Sequence, residues 1–581
     1  MSGLSPSPEQ LRRLQGAFRE LKAEQDQTLR QTERPTFVHT RVYRQVKDEG
    51  RCLLIGRKGS GKTAMLVGYR HQNRADYLAE ADIDIIADEF PLEPLFHFFY
   101  KEIVRKINGR AQKEAMDTDL AQFLDPTKVA TYAWKQSLVA AAVCMAAEKI
   151  LTSDIAQTLS EDEQKSLSEA HGTVLNLIGA ANGKKSSATG GELLSGLLVF
   201  FFGNFTELFE AMLNDTASGF AALVAKISTK LAILAKTNTS EALRKPVQQI
   251  RNILDRHQKK VLLTLDRFDD FYDEFQYRQD SSNLLYEKRT FLASLLKGLV
   301  IAARDLQRDA GNFSWMHMIL TIPMDKFLEL QLRERADLES NHVVRLEWSP
   351  KELYEMVNRR IASALDLPEK DVPTAWKVLF PFDVANARVK EVKEDSFLYI
   401  VRHSLWNPRE IQMYLKAIFA EMDRKPADED LIRRVVRQET ENIIRREFIG
   451  QFIGEFHGLQ KVLNKLNNVT LRTVMFYEDL CDKLGGLELF EDCRTPDQIM
   501  LRLFHMGVIG IRMNARQGVG NLHVITQQKR EVAYRFCFNS DENDPFSPAC
   551  EVCFHPIFFE YLNLKHEEPY VVNQLTWEML G

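Results

Sequence analysis

Short runs of apolar or β-branched residues, each ended by a polar or turn residue, predict five buried strands. The runs are Cys52–Ile55, Ile83–Ala87, Val261–Leu265, His317–Ile322 and Val343–Leu346. Stretches with apolar residues at helical spacing lie between them, for example Thr63–Arg70, Leu92–Ile107 and Asn283–Leu306. Because strands that alternate with helices favour a mostly parallel sheet, the first half of the chain is predicted to be an α/β domain.

Roughly 170 residues separate the second and third predicted strands, far more than an ordinary connection between elements. We therefore expect a large helical insertion at about residues 108–245 of a core that spans 36–350. Within the insertion, a Gly/Ser/Lys stretch without periodicity, Ala181–Gly191, is expected to be mobile. Its longest apolar stretch, Leu193–Phe205, is too short for the roughly 20 residues of a membrane-spanning helix, so no membrane segment is expected.

Other patterns define the regions on either side of this core. Ser7, Pro8 and Gln10 are typical of a capped helix start, and they predict an amphipathic N-terminal helix within residues 1–35 that docks on a neighbour. A helical pattern after the fifth strand predicts a lid at 351–425. In the last region, 426–581, helices lead into short strands around glycines, which favours a winged-helix-like domain.

Charge and cysteine content narrow the partners and the compartment. The net charge is −5, so nucleic-acid binding would need a local patch. One such patch is Leu501–Arg535, which contains six basic residues and one acidic residue. It could contact duplex DNA or an acidic protein, or be a solvated face. Seven scattered cysteines fit reduced thiols and a cytoplasmic location.

A zinc site can be considered near the C-terminus. Cys550, Cys553 and His555, with Cys537 upstream, are residue types that zinc accepts. Since a four-ligand site normally uses paired Cys knuckles, core packing is the favoured interpretation of these residues.

The most specific motif is G-x-x-x-x-G-K-[ST], between a predicted strand and a predicted helix. Its residues are Gly56, Arg57, Lys58, Gly59, Ser60, Gly61, Lys62 and Thr63. In such a loop the backbone N–H groups wrap a polyphosphate at a helix N-terminus, the Lys reaches the terminal phosphates and the Thr hydroxyl is a Mg²⁺ ligand. The motif predicts ATP and Mg²⁺ as cofactors.

A second magnesium anchor is expected at the end of a neighbouring strand, and Asp266 follows the apolar run Val261–Leu265. The next residue is Arg267, so the base that activates water has to come from elsewhere. Asp269 and Asp270 are the candidates, although an acidic cluster at a helix N-terminus explains them equally well.

Further polar residues at strand and helix ends are weaker candidates. Thr321, near the end of the fourth strand, could sense the γ-phosphate or be an ordinary strand hydroxyl. Arg333 or Arg335 could be an arginine finger for a neighbouring subunit, or surface residues. Arg409, in Asn407-Pro408-Arg409, could be a second sensor from the lid or serve a capping or surface role.

The phosphate loop with Ala64 after it, the segment Leu265–Asp270 and the Asn-Pro-Arg motif resemble bacterial P-loop ATPases of the AAA+/STAND group. The resemblance covers about residues 36–420 and, more loosely, 504–556. It implies that Phe37 and Val38 lie near the adenine and that a lid and winged helix follow the core, as in origin-recognition ATPases. Similar proteins often lie near phage-defence genes, which implies a defence role. In this group a catalytic Glu commonly follows the strand-end Asp, so Arg267 implies slow hydrolysis.

These observations favour a slow ATPase that acts as an oligomeric nucleotide switch, with the helical insertion available to a protein partner. One alternative is a DNA-bound ATPase of origin-recognition type that uses the basic wing. Another is a scaffold that holds ATP without significant turnover.

Overall fold

The computed structural model describes residues 6–19, 26, 29, 36–84, 91–99, 125–182, 190–213, 220–267, 283–330, 335–386, 393–422, 427–452, 456, 458–485, 495–512, 523–527, 530–536, 551–565, 572–574 and 577. The strands in these ranges are β1 (Leu53–Gly56), β2 (Tyr77–Asp84), β3 (Lys260–Asp266), β4 (Met316–Pro323), β5 (Val343–Arg345), β6 (Asp383–Ala385), β7 (Lys393–Asp395), β8 (Val474–Phe476), β9 (Ile509–Arg512), β10 (His523–Gln527), β11 (Arg530–Arg535), β12 (Glu551–Phe554) and β13 (Val572–Gln574).

The α-helices in the described part of the chain are α1 (Pro8–Ala17), α2 (Arg41–Asp48), α3 (Lys62–Asn73), α4 (Leu92–Phe96), α5 (Pro126–Thr152), α6 (Glu161–Asn182), α7 (Gly190–Leu213), α8 (Phe220–Lys236), α9 (Glu241–Arg256), α10 (Asn283–Arg308), α11 (Ala310–Phe313), α12 (Met324–Glu329), α13 (Arg335–Asn341), α14 (Pro350–Leu365), α15 (Ala375–Leu379), α16 (Ser396–Arg402), α17 (Pro408–Glu421), α18 (Glu429–Asn442), α19 (Ile449–Phe452), α20 (Leu459–Asn467), α21 (Tyr477–Leu484) and α22 (Pro496–His505).

The predicted parallel sheet is confirmed, with five strands in the order β2-β3-β4-β1-β5. The second strand differs most from its prediction, because it begins at Tyr77, six residues before Ile83. It is an edge strand, and its buried residues Ala79 and Ala81 alternate with exposed Glu80 and Asp82. Alternation with small residues on the buried face leaves no apolar run, which is why the sequence pattern missed this part of the strand.

The chain divides into two compact units, and the first comprises residues 41–56 and 69–345. Its core joins the sheet to the helices of the predicted insertion, since α5 is buried on nearly all sides. Gly298 in α10 permits close approach of α5, because a Cβ there would lie 2.6 Å from the Ala130 Cβ and 2.8 Å from the Thr131 backbone nitrogen. Buried Lys135 of α5 is neutralised by Asp305, at 2.6 Å. The insertion and the sheet therefore share one hydrophobic core.

The second unit comprises residues 1–40, 57–68 and 346–581. The predicted capped helix start is confirmed at α1, where the Ser7 hydroxyl accepts from Gln10 N and the Gln10 side chain accepts from Ser7 N. Leu14 and Phe18 from this N-terminal segment are fully buried in the same core as helices α14 and α17. The predicted docking of the N-terminal helix on a neighbour is therefore confirmed.

The last part of the second unit contains a six-stranded sheet in the order β13-β10-β11-β9-β12-β8. Strand β12 pairs antiparallel with both β8 and β9. Along the chain, α20 precedes β8, and α21 and α22 lie between β8 and β9. Among all the described residues, no helix is long and apolar enough to cross a membrane.

Candidate functional site

The glycine-rich motif lies where β1 ends and α3 begins, so the strand and the helix predicted on either side of it are both confirmed. β1 ends at Gly56, the loop runs to Gly61, and α3 starts at Lys62. Gly59 and Gly61 have φ of +80° and +92°, which side-chain-bearing residues rarely adopt. The first N–H groups of α3 and its helix dipole together favour an anion at this end of the helix.

Lys62 and Ser60 are both buried in the loop. The Lys62 ammonium donates to the Arg57 carbonyl oxygen at 3.2 Å, and the same oxygen accepts from the Ser60 backbone N–H at 3.1 Å. The Ser60 hydroxyl has no hydrogen-bond partner. Because a buried unpaired hydroxyl is costly, an acceptor or donor atom of a ligand in the loop would stabilise it.

Asn407 contacts the loop from the N-terminus of α17. Its Oδ1 accepts from Arg409 N at 3.0 Å and thereby caps the helix, while its Nδ2 donates to the Lys58 carbonyl oxygen at 3.0 Å. A Cβ on Gly59 would lie only 2.7 Å from this Nδ2. Glycine at position 59 is therefore required both by its φ and by the close approach of Asn407.

Trp348 contacts the loop two positions further along. It stands directly before Ser349, the N-cap of α14, and its indole Nε1 donates to the Ser60 carbonyl oxygen at 2.7 Å. Its ring also lies 3.9 Å from where a Cβ on Gly61 would be. Trp348 and Asn407 thus hold two carbonyl groups of one short loop.

Arg57 links the loop to the C-terminal part of the same unit. Its Nη2 donates at 3.0 Å to the carbonyl oxygen of His505, the last residue of α22. The C-terminal end of a helix carries partial negative charge, so a guanidinium is favoured there. The loop therefore has a direct contact with the segment that follows the lid in sequence.

The remaining predicted nucleotide contacts lie on α3 and in the segment before α2. Thr63 and Ala64 are half-buried residues in the first turn of α3. Phe37 and Val38 are buried, and the Phe37 ring lies against Gly68, where a Cβ would come within 2.1 Å of it. Phe37 is therefore packed on the helix that follows the loop.

Asp266 and Thr321 meet at the carboxyl-end edge of the parallel sheet. Asp266 is the last residue of β3 and is buried, and the Thr321 hydroxyl of β4 donates to its Oδ1. The register pairs Leu265 with Leu320, which makes the two side chains neighbours. Since β1 is parallel to β4, the end of β1 at Gly56 lies at this same edge.

Arg267 leaves β3 in a left-handed conformation, with φ of +66°. This conformation costs a residue with a side chain about 1–2 kcal/mol, and it turns the chain directly after Asp266. The residue directly after Asp266 thus carries a positive charge and a strained backbone.

Several predicted residues are not described or are engaged elsewhere. Asp269, Asp270 and Arg333 lie outside the described residues. Arg335 is the first residue of α13. Arg409 pairs with Glu447 at 3.4 Å. The second-sensor role of Arg409 stays a prediction.

Glu410 and the turn before α17 were not anticipated from the sequence. The Glu410 carboxylate accepts from Leu405 N at 2.6 Å and lies close to Arg57 and Glu447. Burial raises the pKa of Glu410 to about 7, although the Leu405 N–H and Arg57 oppose this shift. Trp406, next to Asn407, has φ of +55°, so the turn that presents Asn407 is strained.

The C-terminal candidates are only partly described. Cys553 belongs to the buried core of the second unit, whereas Cys537 and Cys550 lie outside the described residues. No group of three or more His, Cys, Asp or Glu suited to a metal occurs among the residues that the structure describes. On α22 Asp497, Gln498, Leu501 and His505 are exposed and Arg502 is half-buried, so this helix carries both acidic and basic side chains.

The loop contacts of Trp348 and Asn407 were missed by sequence reasoning. Asn407 could be recognised as an N-cap before Pro408, but its free amide donor has no signature in sequence. No known family model matches this chain, and no curated protein matches it in sequence.

Proposed function

We propose that this protein binds ATP with Mg²⁺ at the loop Gly56–Thr63, hydrolyses it slowly and acts as a nucleotide-dependent switch. The loop geometry carries this proposal. Two glycines with positive φ, a buried lysine at the start of α3 and an unpartnered buried Ser60 hydroxyl form a cradle suited to phosphate oxygens. The Lys62 ammonium donates to the Arg57 carbonyl oxygen, and a phosphate would be a stronger, charge-assisted partner than this neutral carbonyl.

The residues present also fit a magnesium ion. Mg²⁺ prefers hard oxygen ligands and uses few protein groups, and by residue type Thr63 offers a hydroxyl and Asp266 a carboxylate. When bound, the ion would neutralise charge on the phosphates during transfer. Thr321 orients the Asp266 carboxylate through its hydroxyl, so one of the carboxylate oxygens is held by the protein itself.

Slow turnover is supported by the sequence after Asp266. Arg267 can neither accept a proton from water nor orient it as a carboxylate would. Loss of a general base typically costs 10²–10⁴-fold in rate. A site that binds tightly and hydrolyses slowly is suited to report its nucleotide state to other parts of the molecule, as a switch does.

The contacts of the loop with later segments support the switch. Arg57 bonds the end of α22, and Asn407 bonds Lys58 from the start of α17. A change in the loop on binding or hydrolysis would alter these bonds directly. We further propose that the ATP-bound form assembles into homo-oligomers, which light scattering with ATP or ADP would test: an unchanged monomer mass in both would exclude assembly.

Calorimetry with ATP and Mg²⁺ tests the binding proposal. The Lys62→Ala variant should lose ATP binding, because the ammonium at the phosphates is removed. Lys351→Ala, which changes an exposed residue of α14, is the matched control and should bind as the wild type does. Equal ATP affinity in the Lys62→Ala and wild-type proteins would exclude the loop as the nucleotide site, and binding without turnover would favour the scaffold function.

A second candidate function, DNA binding, is favoured by the order of the C-terminal elements. We propose a winged-helix-like domain here, and the element order α20-β8-α21-α22-β9 with β12 pairing between β8 and β9 supports this proposal. Since α22 carries an acidic Asp497 as well as Arg502, we expect DNA contact to depend mainly on the wing strands.

Fluorescence anisotropy with duplex DNA at two salt concentrations tests this candidate. Affinity should fall with salt and with the double change Arg512→Glu and Arg516→Glu. Arg445→Glu, elsewhere on the exposed surface of the unit, is the control. No salt-dependent affinity, or no effect of the double change, would exclude DNA binding through the wing.

A further inference from the structure

Two side chains from distant segments donate to alternate carbonyl groups of the phosphate loop. Asn407 Nδ2 bonds the Lys58 carbonyl at 3.0 Å, and Trp348 Nε1 bonds the Ser60 carbonyl at 2.7 Å. Neither contact uses a group that a phosphate would need, because phosphate oxygens accept hydrogen bonds from N–H groups and leave the carbonyls unused.

These two bonds orient the N–H groups of the loop. In a trans peptide unit the C=O of one residue and the N–H of the next point in opposite directions. A Lys58 carbonyl directed at Asn407 therefore directs the Gly59 N–H away from it, and a Ser60 carbonyl directed at Trp348 does the same for the Gly61 N–H. The Asn407 and Trp348 side chains thus set the direction of two N–H donors, those of Gly59 and Gly61, that an anion would use.

We infer that Asn407 and Trp348 are positioning residues that hold the phosphate loop in its anion-binding form before the nucleotide arrives. This inference rests on the proposed function of the loop. Glycines at 59 and 61 make the loop flexible, and a loop that is only partly in the competent form binds more weakly by that fraction. The two donors raise the competent fraction without touching the nucleotide.

The alternative is that each residue only satisfies its local needs. Helix capping requires just the Oδ1 of Asn407, and Ser, Thr or Asp would cap equally well. The Nδ2 bond to Lys58 is additional to this role. A buried indole N–H generally finds a partner, but here its partner is the second of two held carbonyls in the same loop.

The test measures ATP affinity and nucleotide-free thermal stability for variants that remove only the donors. Trp348→Phe keeps a ring, and Asn407→Ser keeps a cap but cannot reach Lys58. Each should weaken ATP binding roughly 5-fold, and the double variant roughly 25-fold, as expected for one hydrogen bond each. KM for ATP should rise while kcat at saturation stays within about twofold, since bound phosphates order the loop themselves. Asn407→Asp retains size and cap and should weaken binding at least as much.

Two controls remove the same kinds of bond elsewhere. Trp315→Phe removes an indole donor to the Asn312 carbonyl, and Asn358→Ser removes a donor to the Pro373 carbonyl from a side chain that also accepts from Trp376 N. Both should lower the unfolding temperature and leave the ATP affinity of the folded protein unchanged.

The outcomes separate this inference from the function on which it rests. If the wild type binds no ATP, both fail. If the wild type binds ATP, Lys62→Ala does not, and the Trp348 and Asn407 variants bind within about twofold of the wild type, the positioning role alone is excluded. The positioning role would also be excluded if the Trp348 and Asn407 variants lost no more ATP affinity than the two control variants.

Discussion

The phosphate loop and the sheet edge at Asp266 reach their geometry by different means. Asp266 and Thr321 lie on neighbouring strands whose ladder sets their separation, so the backbone alone makes them adjacent. The loop has no such ladder. It is held by Trp348 and Asn407, which lie 288 and 349 residues away from their loop partners in sequence.

This difference determines what substitutions can do. At the sheet edge a polar side chain can be replaced by an isosteric one without moving the backbone. The effect on ATP turnover therefore measures the chemical contribution of that side chain. At the loop the same kind of substitution changes the backbone conformation. Its effect on ATP affinity therefore measures how far the loop is preorganised for the ligand.

Asp266→Asn should lower ATP turnover by on the order of 100-fold, because an amide is a poor Mg²⁺ ligand. The amide Oδ1 can still accept from Thr321, so the strand edge should keep its structure. Thr321→Val should have a smaller effect, roughly 10-fold, through a misplaced carboxylate. Steady-state hydrolysis measures both.

The control for these changes is Thr264→Val. The Thr264 hydroxyl is also buried in the sheet, where it donates to the Ala81 carbonyl and, at 2.8 Å, to Asp82. Its loss should lower stability without a specific effect on turnover. Equal turnover in Asp266→Asn and wild type would end the assignment of this edge to the active site.

Glu410→Gln should change the pH dependence of unfolding. The folded-state pKa of about 7 exceeds the ordinary 4.5, so the folded protein binds more protons between these values, and wild-type stability falls as pH rises through this window. Gln cannot ionise and can still accept from Leu405 N. The variant should therefore be more stable than the wild type at pH 8, by up to roughly 3 kcal/mol, with the difference vanishing near pH 4.5.

Chemical denaturation at several pH values checks this prediction. The groups that face Glu410 are Arg57 and Glu447, and the former already opposes the rise in pKa. If wild type and variant have parallel stability profiles, the carboxyl does not ionise in this window. The turn that presents Asn407 would then not depend on the charge of Glu410.

Gly298→Ala should destabilise the unit built on the parallel sheet by about 2 kcal/mol, because the new methyl group meets backbone of α5 that cannot move freely. ATP affinity of the folded protein should stay the same. Thermal unfolding and calorimetry measure the two effects. Gly203→Ala, where nothing lies within 4 Å of the added Cβ, is the control and should be neutral or stabilising. A lower ATP affinity in Gly298→Ala would contradict the expectation that packing between α5 and α10 does not affect the phosphate loop.

Gly59→Ala should lower ATP affinity about 10-fold, in contrast to Gly298→Ala, and should lower stability by about 1 kcal/mol. Its positive φ strains any L side chain, and the added Cβ displaces the Asn407 amide. Gly16→Ala in α1 has open space and should leave affinity unchanged. Wild-type affinity in Gly59→Ala would show that the loop tolerates loss of the Asn407 contact.

The amount that could be predicted differs between the two regions. The runs that became β1, β3, β4 and β5 are almost wholly apolar, and hydrophobic burial on both faces dictates such strands locally. The edge strand β2 was placed only at its end, because small residues on its buried face give little signal. At the sheet edge, Asp266 and Thr321 were each identified, but their contact follows from strand order, which the pattern does not contain.

The sequence alone specifies the glycine-rich loop, the strand before it and the helix after it, since glycine freedom, apolar runs and helix caps act over a few residues. It also determined which carboxylate ends the third strand. The contacts that hold the loop, in contrast, arise from tertiary packing. The donors of Trp348 and Asn407 reach Ser60 and Lys58 across nearly three hundred residues or more, and such contacts depend on how packed helices present their ends.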